Sequence, residues 1–174
     1  RRNFLHTTGI LAGMSMMPQK RLFASTLFAA GEMHPLRRNI GYFVERGGTI
    51  GWLMTPDHLV VVDTQFPDQA KNLIAHLRET NQKPVDLLIN THHHGDHTAG
   101  NIAFKGIVGT HVAHKNSHDN QEKGAVERGN LDSQLLPSTT FTDSWSQTVG
   151  DEKISLHYFG AAHTNGDITV HFEN

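Results

Sequence analysis

The sequence predicts an α/β fold, a mixed and partly parallel sheet covered by helices. Three observations carry this. Two apolar segments, His58–Val62 and Val85–Asn90, flank the stretch Pro67–Gln82, whose Ala70, Leu73, Ile74 and Leu77 recur at helical spacing. Strand, helix, strand in that order is a βαβ unit with parallel strands. Upstream, Ile40–Glu45 and Thr49–Thr55 read as strands joined by Gly47-Gly48, an antiparallel hairpin that opens the sheet. Downstream, Glu152–Phe159 sets Ile154, Leu156 and Tyr158 on one side, the pattern of a half-buried strand.

With 174 residues the chain is long enough for one domain with a real core. Its 15 Lys+Arg against 17 Asp+Glu leave a net charge of −2, which offers no electrostatic basis for holding nucleic acid or an anionic membrane. Cysteine is absent, so disulfides, thiolate ligands and a Cys nucleophile are excluded within these residues. The unusual count is 14 His, which at neutral pH are largely unprotonated and able to bind metal.

Taken in order, the chain opens on Arg1-Arg2-Asn3-Phe4-Leu5 and a short, mildly apolar segment, Thr7 to Met17. An arginine pair before such a segment resembles a twin-arginine export signal, and predicts a cleavable leader over residues 1–30 and delivery to a bacterial periplasm. The apolar part is shorter than the about 20 residues that span a bilayer, and no transmembrane segment appears elsewhere. The domain is expected over residues 31–174. Pro56-Asp57 turns the hairpin into His58–Val62, and Asp63 ends that strand. Pro67 suits the first turn of the helix, and Lys83-Pro84 stops it. Thr98–Phe104 reads as a short helix and Gly106–Gly109 as a short strand. His111, His114 and His118 are spaced as one face of a helix, yet no carboxylate or strand end accompanies them, so they are read as a polar helix surface. Glu122–Pro137 is polar and weakly patterned, a helix followed by a loop overhanging the site. A strand is expected near Phe141 and another over Ile168–Phe172, with Gly160-Ala161-Ala162 a loop of small residues between.

The chemistry is concentrated in Thr91-His92-His93-His94-Gly95-Asp96-His97-Thr98-Ala99-Gly100-Asn101. His92, His94, Asp96 and His97 are four potential metal ligands within six residues, directly after the apolar run Val85–Asn90. The loop past a strand's carboxyl end is where α/β sheets place their chemistry. His92 and His94 alternate, so in extended backbone both leave the same side and can meet at one ion. Gly95 permits a sharp turn that aims Asp96 and His97 at a neighbouring position. Imidazoles suit zinc and its first-row neighbours, and a carboxylate adds a harder ligand.

This His-x-His-x-Asp-His stretch resembles the signature of the metallo-β-lactamase-fold hydrolases. The resemblance extends to Val60-Val61-Val62-Asp63-Thr64, to Gly100-Asn101, and to Ala162-His163-Thr164-Asn165-Gly166-Asp167, in order from about Arg37 to the last residue. It implies an αββα sandwich, incomplete at its C-terminus. It also implies that His163 joins His92 and His94 on one metal, and that Asp96 and His97 face a second. Asp63 would support the histidine loop from behind, although from the residues alone a turn-forming Asp reads as well. Asp167 would anchor the His163 loop. His97 after Asp96 resembles the dinuclear members, among them one lactamase subclass, lactonases and glyoxalase II thioesterases. Their second site is completed by a bridging acid and a last His further downstream, whereas Asp167, His171 and Glu173 follow His163 too soon. The missing initiator Met and the end inside Ile168–Asn174 therefore predict a fragment, with Ile168, Val170 and Phe172 exposed on an unfinished sheet.

The implied activity is hydrolysis of a small-molecule lactam, lactone, thioester or phosphoester by hydroxide held on one or two zinc ions, with Asp96 orienting the hydroxide or acting as base. His/Asp ligands also accept iron or manganese, which leaves an iron redox or dioxygenase member of the same fold open. A non-catalytic periplasmic metal binder is the third reading; Asp96 and the distant His163 favour the enzymes over it.

Overall fold

A computed structural model describes residues 31–174; the export signal expected over residues 1–30 lies outside them. Among the described residues, the larger of two sheets has seven strands in chain order: β1 (Glu32–Arg37), β2 (Ile40–Glu45), β3 (Gly48–Met54), β4 (Leu59–Val62), β5 (Val85–Asn90), β6 (Val108–His114) and β7 (Thr139–Phe141). From β1 to β4 neighbours run antiparallel, and from β4 to β7 parallel. The parallel steps require crossovers. They are α1 (Pro67–Thr80), the single turn α2 (Gly95–Thr98) with a 3-10 turn at Ala99–Phe104, and α3 (Lys115–Glu127). The smaller, antiparallel sheet comprises β8 (Ser144–Val149), β9 (Glu152–His157) and β10 (Thr169–Phe172), in the order β10-β9-β8.

The central strands read as unbroken apolar runs because both of their faces are covered. Along β4, Leu59 and Val61 point to one core and Val60 and Val62 to the other; along β5, Leu88 and Leu87 divide the same way. One core lies between the sheets, where Val60, Leu87 and Val112 meet Ile154, Leu156 and Ile168. The other lies under α1, whose Ala70, Leu73 and Leu77 cover Phe43, Leu88 and Phe104. These layers are what the mixed α/β pattern predicts.

Several boundaries differ from the sequence reading. β1 is an additional strand at the sheet edge, and its mixed His-Pro-Leu-Arg content carries no alternation to reveal it. α1 ends at Thr80, because Asn81 turns to extended backbone and its side chain bonds the Thr55 carbonyl and the Lys83 amide. His111 and His114 are not on a helix. They belong to β6, which pairs with β5 through residue 113, and only His118 lies on α3. Pairing with an existing parallel strand overrides local helical spacing here. Ile168, Val170 and Phe172 are not an open apolar face either. Val170 and Phe172 stand opposite Leu156 and Ile154 on β9 and pack into the core between the sheets.

The fold also fixes where the histidine loop lies relative to α1. A side chain at Gly100 would bring its Cβ to 2.3 Å from the Thr64 carbonyl oxygen and 2.9 Å from the Phe66 oxygen. The 3-10 turn therefore rests directly on the backbone between β4 and α1, a packing only glycine permits.

Candidate metal centre

The histidine loop leaves the sheet at the carboxyl end of β5. His94 is extended (φ −66°, ψ 149°), and the chain turns into α2 at Gly95. His163 arrives from the loop between β9 and β10. The structure brings His92, His94 and His163 together: their ligand nitrogens all lie within 4.8 Å of one another, with His163 Nε2 and His94 Nδ1 at 3.0 Å. The rings meet edge-on, with centroids 4.7 to 5.3 Å apart and interplanar angles of 74° to 84°. Metal–nitrogen bonds of about 2.0–2.1 Å in a tetrahedron set the nitrogens about 3.3 Å apart. That spacing falls inside the observed range, and three imidazoles from two separate strand ends fit a divalent metal ion.

The neighbouring groups divide into those that face the cluster and those that hold it. His97 packs against His92 at 4.1 Å between centroids. Its Nδ1 bonds Asp63 Oδ2 at 2.8 Å, so its Nε2 points away, 3.6 Å from the exposed carboxylate of Asp96. Asp96 and His97 thus stand beside the three-histidine cluster without belonging to it. Asp63 is only 5% exposed and lies in the left-handed region at φ 62°. Besides the His97 ring it accepts bonds from the Thr91 amide at 2.8 Å and the Thr91 hydroxyl at 2.7 Å. Thr64, next in the chain, donates its amide to the His97 carbonyl at 2.8 Å. Asp167 accepts from the Thr164 amide and hydroxyl, closing the loop that carries His163.

The electrostatics follow from these contacts. Burial, and then the neighbouring His97, push His92 below the ordinary imidazole range, which keeps it neutral and able to ligate. The hydrogen bond to Asp63 raises His97.

Beneath the loop lies a buried amide network, of which the sequence marked only Thr64 and Asn101, and those by resemblance. Asn90 and Asn101 exchange bonds at 2.8 and 3.0 Å, and Thr64 donates to Asn101 at 2.9 Å. Gln121 reaches Asn90 from α3, and His111 Nε2 meets the Asn90 oxygen at 2.9 Å. Its members come from five separate stretches of chain, so no local spacing announces them.

Burial pushes His111 down to about 3. The unfolded chain takes up that proton below about pH 6.5 while the folded one refuses it, so His111 makes stability fall as pH drops from 6.5 to 3. In metal-free protein, we expect His111→Gln to flatten this acid limb. The stability gap between wild type and variant should shift in the variant's favour by about 1.4 kcal/mol per pH unit between pH 6 and 4. Urea titrations across that range measure it, and parallel limbs would contradict the assignment.

A cleft of about 570 Å³ opens beside the cluster, running from His93, His94 and Gly95 to the face of α3 that carries Asn120, Lys123 and Gly124. Its lining is predominantly polar and includes Glu127, Arg128 and Gln134.

Solved structures share this architecture. MEM-A1, a subclass B3 metallo-beta-lactamase from a soil metagenome library, superposes with a TM-score of 0.65 at 20% identity, over 81% of this chain and 57% of its own. BJP-1, a subclass B3 metallo-beta-lactamase of Bradyrhizobium japonicum, gives 0.67 at 24% identity over 83% and 58%. A metallo-beta-lactamase from Pontibacter korlensis gives 0.64 at 18% identity over 82% and 67%. The chain thus spans a little under three fifths of the length of the first two. At these identities the likeness establishes the fold. The family model of the metallo-beta-lactamase superfamily matches residues 44–174, three quarters of the chain, including both loops that supply the histidines. With that match and a histidine cluster where its two strand ends meet, the chain belongs to the metallo-beta-lactamase superfamily.

Proposed function

We propose that the protein is a zinc-dependent hydrolase of a small-molecule lactam, lactone, thioester or phosphoester. The observation that carries this reading is the convergence of His92, His94 and His163 from two strand ends. When bound there, zinc supplies Lewis-acid polarisation of the scissile group and acidifies a water toward neutral pH. The chain's own residues supply the rest. His92, buried and neutral, and the more exposed His94 and His163 offer lone pairs to one point. Asp96, exposed beside the cluster, orients the attacking water or takes its proton on a carboxylate oxygen. His97, its Nδ1 held by Asp63, would hold a second ion through Nε2. The polar cleft between the histidine loop and α3 receives the substrate. Lactams rank first for testing, because the similar solved structures are of metallo-beta-lactamases.

The test is a panel of one substrate from each class on the protein loaded with zinc, with elemental analysis of the protein as purified. Hydrolysis that disappears with a chelator and returns with zinc supports the reading. Iron as the resident metal with no hydrolysis of any class would replace it by the redox alternative.

The same reading includes export: Arg1-Arg2 followed by a short apolar segment directs the protein to the periplasm. Among the described residues no helix is long and apolar enough to cross a membrane. Replacing both arginines by lysine should trap precursor in the cytoplasm; undiminished periplasmic protein would rule the signal out.

A further inference from the structure

Two loops must meet for the three histidines to converge, and only one of them is part of the larger sheet. The loop from Gly160 to Asp167 is internally ordered by Asp167, by the Ala162 amide on the Thr164 carbonyl, and by the Gly166 amide on the Thr164 hydroxyl. Those bonds set the loop's shape. They do not set where His163 stands relative to His92 and His94. One external tether does this at the loop's end, where the Ile168 amide donates to the Thr91 carbonyl at 3.0 Å.

A second tether lies two residues past His163, and it leads to α3. Asn120 Nδ2 donates to the Asn165 side-chain oxygen at 2.7 Å, and Asn116 Nδ2 donates to the Asn165 carbonyl at 2.7 Å. Asn116 and Asn120 are one helical turn apart, so both face the loop. The Tyr158 hydroxyl adds a longer bond of 3.3 Å to the same carbonyl. Next to this clasp the loop backbone lies on the helix itself: a Cβ at Gly166 would stand 2.6 Å from the Ser117 amide nitrogen. α3 is held to the histidine loop in turn, through Gln121, which bonds Asn90 and Asn101 beneath it. Asn120 also lines the cleft beside His94.

We infer that Asn165 is a positioning residue, clasped by Asn116 and Asn120 so that α3 sets the placement of His163 against His92 and His94. The inference rests on the proposed metal site. Through Asn120, the wall of the cleft and the third histidine are mechanically connected.

The test compares Asn165→Ala, Asn120→Ala, the double variant and His163→Ala in the zinc protein. The readouts are zinc affinity by competition with a chromophoric chelator, the visible spectrum of the cobalt-substituted protein, and thermal melting of the metal-free protein. Losing one such hydrogen bond should weaken zinc binding about three- to tenfold in each single variant. The double variant should be no weaker than the worse single, because both remove the same bond. The cobalt spectrum should change, while the metal-free melting temperature falls by no more than one exposed hydrogen bond accounts for. Unchanged affinity in Asn165→Ala, additive losses in the double, or a cobalt spectrum identical to wild type would each overturn the clasp. If His163→Ala itself leaves zinc affinity unchanged, the metal reading falls and the clasp falls with it.

Discussion

His163→Ala is expected to abolish the proposed metal binding and, with it, the proposed hydrolysis. His163 is one of three converging imidazoles and the only one supplied from outside the histidine loop. Outer partners of metal ligands typically cost about 10–100-fold in affinity when removed, and a direct ligand should exceed the upper end of that range. Zinc binding should therefore weaken by more than about 100-fold, and kcat/KM should fall at least as far. Fold stability should hardly change, since His163 is exposed, and exposed substitutions usually stay within about 0.5 kcal/mol. Chelator competition, substrate turnover and urea denaturation of the metal-free chain separate these effects. Wild-type zinc affinity in this variant would end the proposed metal centre.

Asp63→Ala should damage both fold and site, and Asp63→Asn only the site. Alanine at φ 62° incurs about 1–2 kcal/mol of backbone strain, which asparagine largely avoids. Alanine also leaves the half-buried Thr91 amide without its acceptor, at about 1–3 kcal/mol, whereas asparagine retains an oxygen for it. Neither restores the carboxylate that holds the proton of His97 on Nδ1. An asparagine NH₂ facing that nitrogen favours the other tautomer, which places a proton on Nε2, the atom that would need a lone pair to hold the proposed second ion. Urea titration should find Asp63→Ala destabilised by roughly 2–4 kcal/mol and Asp63→Asn by about 1 or less. Both should bind metal about 10–100-fold more weakly. If both variants bind zinc like wild type, Asp63 does not support the site.

The site was legible to the extent that it is local. His92, His94, Asp96 and His97 sit within six residues after an apolar run, and strand-end loops place neighbouring side chains in one region. Asp63 and His163 were legible only through resemblance to a family, because each is one residue among many Asp and His, without local periodicity. The three-histidine spacing at His111, His114 and His118 misled, since spacing on a helix means nothing once two of the residues lie on a strand.

From the chain alone came the alternation of strand and helix, the apolar faces that must be buried, and the ligand-rich loop, all governed by interactions within a few residues. Tertiary structure alone decided which β6 histidine is buried against Asn90, and that the Asp63 carboxylate accepts the hydrogen bond from the His97 ring. It also decided that α3 grips the His163 loop through Asn165. These contacts join residues 21 to 49 positions apart. Their geometry depends on how sheets and helices pack, and no pairwise pattern in the sequence encodes a hydrogen bond formed only after that packing is complete.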